Sequence, residues 1–457
     1  MTDDRVLSTR AMRAPLAFGT AAFADALARL VARGDDDFTR VEPVVREILA
    51  AVRAEGDVAV RRYNARFGGR ADGKSPVAPG AGQHLKDSLT APLVVRDFDG
   101  RAALARLPET ARAALELSAS RIRAFHERQR DPGFEYEDGG RKLGVRVTAV
   151  ARAGVYAPGG KARYPSSVLM SAIPAAVAGV GEILLATPLA GDASDDSIYA
   201  AAHLSGVSAI VDAGGAQAIG ALAYGTESIP RVDKIVGPGN LYVACAKRLV
   251  FGAVSIDGIA GPSEILVLAD DSADARVVAA DLLSQAEHDE AAYPLLVCAS
   301  ERFADAVRAE VEAQLKVLPR ETIARAAIDQ NGFVLVAESR AQMAEIADAI
   351  AAEHLALHVA EPREMLRHVK RAGAAFIGGA TPEAAGDYLA GPSHVLPTGG
   401  AVRFGSPLGV YDFVTRTSLI EYTPAALAEH APAITAFARL EGLEAHARAV
   451  EARLVKR

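Results

Sequence analysis

From Lys142 onward the chain alternates short apolar runs with helix-patterned segments, and this alternation restricts the fold more than any other feature. Strands are predicted at Gly144–Tyr156, Glu182–Ala186, Ala209–Asp212 and Lys234–Val236. Helical runs at Ser167–Val180, Asp196–Leu204 and Ala216–Tyr224 separate them, and Asn240–Phe251 follows as a helix. After Gly261 the pattern restarts, with strands at Glu264–Ala269, Leu295–Ala299, Phe333–Ala337, Leu355–Val359 and Ala374–Ile377. Helices at Ala273–Gln285, Arg302–Gln314, Ala341–Ile350 and Pro362–Arg371 lie between these. Continuous apolar strands between helices imply parallel sheets covered on both faces. Two such runs predict two Rossmann-like α/β units of related shape.

The flanks look different. Residues 1–44 read as an N-terminal arm with a helical stretch near Ala21–Ala32. Pro43–Phe67 has helical spacing, Gly68–Gly82 reads as a loop, Pro92–Phe98 is strand-like, and Pro108–Gln129 is an amphipathic helix. Pro424–Arg457 is alanine-rich and helical, a tail with little room for a sheet. The division expected is an arm at 1–44, a discontinuous first α/β domain at 45–155 and 263–410, a second at 156–262, and a C-terminal tail at 411–457.

Composition narrows the function classes. Half of the 457 residues are apolar, enough for a large core, and the net charge is −7 without a Lys/Arg run. That argues against nucleic acid or an anionic membrane as partner. The start MTDDRVLSTRAMRAP has no apolar stretch of a secretory signal, and runs such as Ile173–Val180 are too short and broken to span a bilayer. Cys245 and Cys298 are far apart, without CxxC spacing, and read as core residues rather than nucleophiles. A soluble, cytoplasmic chain is expected.

Ligands of doubly wound folds sit beyond the carboxyl ends of the strands. The segments there are YAPGGKARYPSS (from Tyr156), GGAQAIGALAYGTES (from Gly214), GPGN (Gly237–Asn240) and, before Glu264, AGPS (Ala260–Ser263). Glycine lets a backbone approach a ligand, and helix N-termini favour phosphate. Any one of these loops is explained by turn chemistry, and none is GxGxxG; four in one stretch of chain point to a nucleotide-sized ligand. In LLSQAEHDE, Gln285 and His288 share a helix face that Glu287 does not. By itself this reads as a solvated helix end, since zinc seldom takes a Gln amide. Glu353 and His354, read as the end of a helix, offer a carboxylate and an imidazole for general acid–base work, or a solvated terminus. Asp387 and His394 in TPEAAGDYLAGPSHVLPT fit a hard ligand and an anion partner, or a cap and a turn. Glu441 and His446 lie on the terminal helix, where such residues are ordinarily surface groups.

Together the runs YAPGGKARYPSSVLMSAIPA, GGAQAIGALAYGTESIPRVDKIVGPGN, IAGPSEILVLAD, DLLSQAEHD, AEHLAL, GDYLAGPSHVLPT and EGLEAHARAV resemble the histidinol dehydrogenases, in order and with compatible spacing, from about Glu47 to the C-terminus. The resemblance implies one zinc per subunit held by Gln285, His288, Asp387 and His446, with Glu353 and His354 as the catalytic pair. It implies NAD+ contacts at Tyr156, Gln217 and Asn240. The pocket for L-histidinol would comprise Ser263, His354, His394 and Glu441 alongside the zinc ligands. It further implies a homodimer with shared active sites, the tail of each subunit supplying Glu441 and His446 to its neighbour. Lys161, Ser171 and Gly220 depart from common family residues without touching these positions. Two other readings stand beside it: a paralogous dehydrogenase of another small alcohol, such as a sulfonated diol, and a catalytically silent metal- or nucleotide-binding protein.

Overall fold

The computed structural model describes residues 12–34, 38–67, 92–159 and 163–454. The loop read at 68–82 and the departure at Lys161 lie outside the described residues. Two six-stranded sheets organise the chain. Sheet I has the order Leu16–Ala17, Phe333–Val336, Tyr293–Cys298, Glu264–Ala269, His354–His358, Ala374–Ile377, and its neighbours all pair in parallel. Sheet II has the order Val94–Val95, Ala209–Val211, Glu182–Ala186, Arg152–Tyr156, Lys234–Val236, Ser255–Ile256. It is parallel except for its first strand. In each sheet the first strand of the alternating run is central, the second and third lie on one side, and the fourth and fifth on the other. Each sheet also takes an edge strand from earlier in the chain. The doubly wound expectation is met twice, with the same strand order.

Covering helices form because their apolar residues recur on one face. Helix Glu42–Glu55 buries Val45, Ile48, Leu49 and Val52 and has Pro43 in its first turn, where the missing N–H costs nothing. Its contact with helix Gly215–Tyr224 is so close that a Cβ on Gly220 would lie 3.0 Å from Leu49. Helix Pro165–Ala178 is buried on nearly all sides and ends at Gly179, whose φ of 90° gives the left-handed C-terminal turn.

Several boundaries differ from the sequence reading. Gly144–Tyr156 is two strands: Arg141–Ala149 pairs antiparallel with Phe134–Asp138 and Val414–Tyr422, whereas Arg152–Tyr156 enters sheet II. The chain changes partner where the Ala151 and Arg152 amides both donate to Asp233 Oδ2, each at 3.0 Å. Residues 12–34 are not a detached arm. Leu16–Ala17 closes the edge of sheet I, and Met12, Phe23, Ala26 and Leu30 are buried in its core. The helices at 42–67 and the strand at 94–95 pack on sheet II, although the sequence division grouped them with 263–410, because their apolar faces meet residues 209–254. The tail contains a nine-residue strand, Val414–Tyr422, before its helices Pro424–Leu440 and Glu444–Glu451. Among the described residues no helix is long and apolar enough to cross a membrane.

Candidate active site

Glu353 and His354 do not end a helix. The helix Arg340–Ile350 stops at Ala351, which has a φ of 52°, and His354 is the first residue of its strand. The pair therefore sits at the amino end of sheet I, beside Ser263 and Glu264 at the start of the neighbouring strand. Gln285 and His288 reach the same end because their helix, Ala275–Ala286, runs back antiparallel to the strand before it. The carboxyl-end rule thus fails for sheet I.

Hydrogen bonds fix the acid–base pair. His354 Nδ1 lies 2.8 Å from the Glu264 carbonyl oxygen, which only accepts, so Nδ1 carries the proton and Nε2 keeps its lone pair. Glu353 Oε2 accepts from the Glu264 amide at 2.9 Å and lies 3.5 Å from His354 Nδ1. Both side chains are buried. Burial, reinforced by the charge of Glu264, holds the Glu353 carboxyl well above its usual range. Burial also lowers His354 to about 4, so the imidazole is a neutral base at physiological pH.

A ligand cluster adjoins the pair. His288, Glu383 and Asp387 offer nitrogen and carboxylate oxygens that all lie within 4.8 Å of one another. Glu383 opens the short helix Glu383–Tyr388, which brings Asp387 round to the same side one turn later. In the amide orientation that satisfies both ends of its side chain, Gln285 donates to Glu383 Oε1 at 2.7 Å and Oε2 at 3.1 Å, which turns its amide oxygen away from Glu383. Glu383 Oε1 is also 3.7 Å from His354 Nε2. Burial, then the charges of Asp387 and Asp281, raise Glu383 well above the carboxylate range. Burial raises Asp387 too, against the pull of His288. Concentrated buried acid beside an imidazole is the donor set a divalent cation would neutralise. His394 joins this group through Nδ1, 3.2 Å from the Asp387 carbonyl oxygen, and burial lowers it to about 4. Glu383 escaped the sequence reading because a Glu after Pro382 reads as a first-turn helix residue. Its one signal was the four-residue spacing to Asp387.

On sheet II the candidate residues lie beyond the carboxyl ends of the strands. Tyr156 ends the central strand, is buried, and accepts a hydrogen bond from the Gly215 amide at 3.1 Å. Gly237 follows the neighbouring strand, Lys234–Val236, with a φ of 114°, and a Cβ there would lie 2.1 Å from the Tyr156 carbonyl oxygen. Its amide donates to Asp257 Oδ2 at 2.8 Å, and its carbonyl accepts from Lys247 Nζ at 3.0 Å. Gly159 and Gly214 crowd Pro188, where Cβ atoms would meet the ring at 2.8 Å and 3.0 Å. At each of these glycines a Cβ would collide with the Pro188 ring or the Tyr156 carbonyl, so these turns pack closer than a side chain allows. Gln217 is buried and donates to Asn64 Oδ1 at 3.2 Å. Asn240 is exposed and caps helix Leu241–Val250 by accepting from the Tyr242 and Val243 amides. The two halves meet where Ser393 Oγ donates to the Met170 carbonyl at 3.2 Å, one residue from His394.

The structure does not bring Glu441 and His446 to these residues. Both are exposed, on helices whose Phe437 and Leu440 are 64% and 81% accessible.

Two doubly wound sheets, one ending in tightly packed glycine turns and the other carrying an acid–base pair and a ligand cluster at its amino end, define a two-unit α/β enzyme. Comparison with known proteins makes the assignment specific. A family model described as histidinol dehydrogenase matches residues 31–454, and the chain belongs to that family. A histidinol dehydrogenase of Lactiplantibacillus plantarum is 49% identical over 430 residues, covering 93% of this chain and 96% of the relative. One of Syntrophotalea carbinolica is 49% identical over 440 residues, covering 96% and 98%. The crystal structure of a histidinol dehydrogenase from Elizabethkingia anophelis superposes with a TM-score of 0.86 at 32% identity, covering 97% of this chain and 98% of that one.

Proposed function

We propose that this chain oxidises L-histidinol to L-histidine through L-histidinaldehyde, using two NAD+ in turn and one zinc ion per subunit. The observation that carries the reading is the His354 imidazole, fixed with a free Nε2 by the Glu264 carbonyl, buried beside Glu353 and the ligand cluster. When bound, zinc would supply a redox-silent template for the substrate's imidazole and amine, and NAD+ a hydride acceptor. Gln285, His288 and Asp387 would hold the metal, with His446 completing the set. Tyr156, Gln217 and Asn240 would line the cofactor cradle.

In the first step His354 Nε2 takes the hydroxyl proton while hydride leaves the carbinol carbon. In the second, Glu353 takes a proton from water as the water adds to the aldehyde. His354 then takes a hydroxyl proton of the hydrate as the second hydride leaves. Two hydrides make the four electrons. Ser263, His394 and Glu441 position the substrate, and enclosure keeps the aldehyde from escaping between steps.

Glu441 and His446 reach such a site from the partner subunit of a homodimer. Support comes from the tail's exposed apolar residues, Phe437, Leu440 and Leu443, and from Ile420 on the outlying antiparallel sheet, 72% accessible. We assign the chain to the cytoplasm on composition.

The test is NAD+ reduction by the zinc-loaded protein with L-histidinol against a panel of small alcohols, a sulfonated diol included, before and after chelation. Turnover confined to histidinol, lost on chelation and restored by Zn2+, is expected. Preference for another alcohol rejects the substrate. Full activity in metal-free protein rejects the metal.

A further inference from the structure

Behind the acid–base pair lies an ion pair that the proposed chemistry does not use. Arg33 Nη2 is 2.6 Å from Glu264 Oε2 and its Nε is 2.7 Å from Oε1, and the two side chains are each 1% exposed. Arg33 also donates to the carbonyls of Leu30 and Ile350, the second at 2.9 Å. Glu264 Oε1 further accepts from the Gly399 amide at 2.8 Å, and Oε2 from the Glu353 amide at 3.2 Å. Glu264 is thus held through its carboxylate, while its own backbone holds the reacting groups: the amide on Glu353 Oε2 and the carbonyl on His354 Nδ1.

We infer that Arg33 and Glu264 are positioning residues for the Glu353–His354 pair, an inference that rests on the activity proposed above. The side-chain clamp sets the backbone of Glu264, and that backbone sets the His354 tautomer and the Glu353 rotamer. A structural ion pair alone has no reason to meet the same residue that orients both groups. Arg33 belongs to the N-terminal segment, so this segment reaches the chemistry through Glu264 as well as closing the sheet edge. A shift of an ångström in a reacting group costs on the order of 10²-fold in rate.

The experiment combines kinetics with a tautomer readout on the zinc-loaded enzyme. Arg33→Met and Glu264→Gln are made alone and in a His354→Asn background; Arg33→Lys serves as the conservative variant. Each single variant is expected to lose roughly 30- to 100-fold in kcat, with KM for histidinol changed less than about threefold. In the His354→Asn background the further loss is expected to fall below about threefold, because residues acting as a unit are not additive. Arg33→Lys is expected to recover most of kcat. Nitrogen-15 shifts of the His354 ring, assigned by difference from His354→Asn, should report protonated Nδ1 in the parent and a mixture of tautomers in Arg33→Met. Additive losses, or an unchanged tautomer in both Arg33→Met and Glu264→Gln, would overturn the inference. If Arg33→Met does not fold, Glu264→Gln and Arg33→Lys decide by the same criteria. Absence of histidinol turnover in the parent rejects the activity, and the tautomer readout then judges the clamp by itself.

Discussion

Sheets I and II share one strand order, but their candidate site residues lie at opposite strand ends. Sheet II offers the carboxyl ends of Arg152–Tyr156 and Lys234–Val236, the two strands where its order reverses, and glycines dominate there. Sheet I offers the amino ends of the equivalent strands, Glu264–Ala269 and His354–His358, and there buried titratable groups dominate. A carboxyl end followed by a helix N-terminus provides free amides and room for backbone approach, which suits phosphate. An amino end receives helix C-termini, whose carbonyls and last-turn side chains suit cations and imidazoles. In the proposed function one architecture is used from its two ends, for cofactor and for chemistry, and substitutions in each should fail differently.

The largest effect belongs to sheet I. His354→Asn removes the base of both steps and should lower single-turnover rates from alcohol and from aldehyde by roughly 10²- to 10⁴-fold, with NAD+ affinity kept. Retention of either rate would break the assignment. Glu353→Gln should lose roughly 10²-fold in aldehyde oxidation while alcohol oxidation stays within a few-fold. Equal losses at both steps would end the division of labour. Gly237→Ala tests sheet II, where the new Cβ meets the Tyr156 carbonyl and a φ of 114° strains any side chain. We expect a loss of roughly 1–3 kcal/mol in unfolding stability and a raised KM for NAD+, with saturated kcat changed far less. A pure kcat effect would erase the contrast between the sheets.

The smallest effect is in pH. Glu353 is raised, so on acidification it protonates above the usual carboxylate range, whereas His354, lowered to about 4, stays a neutral base until far lower pH. Aldehyde oxidation should therefore fall before alcohol oxidation as pH is lowered through the acid range. Single-turnover rates from each substrate across that range check the order, and a common acid limb would contradict it.

The same contrast explains what was legible in the sequence. The alternation from Lys142 predicts both parallel sheets, and the glycine runs after Val155, Asp212 and Val236 mark the turns at the strand ends of sheet II, because strand ends and helix starts are local signals. Sheet I hid its site for physical reasons. Glu353 and His354 looked like a helix end because the left-handed turn at Ala351 carries no glycine to mark it. Glu264 and Glu383 are ordinary first residues of a strand and a helix, and only tertiary packing makes them partners of His354 and Gln285. Val414–Tyr422 lacks the apolar alternation of a half-buried strand, and in Phe134–Asp138 an aromatic–acidic alternation spans only five residues, all solvent-facing. Arg33 sat in a segment read as an arm, since nothing local announces that its partner lies 231 residues away.

In the proposed mechanism one site carries a single substrate through two oxidations, with the sheet I pair moving every proton. Its most direct test is stoichiometry: NADH formed per L-histidinol consumed by the zinc-loaded protein, with free aldehyde trapped in the medium. Two NADH for each histidine released, and no trapped aldehyde, is the predicted result. One NADH per histidinol with aldehyde accumulating in the trap would contradict it.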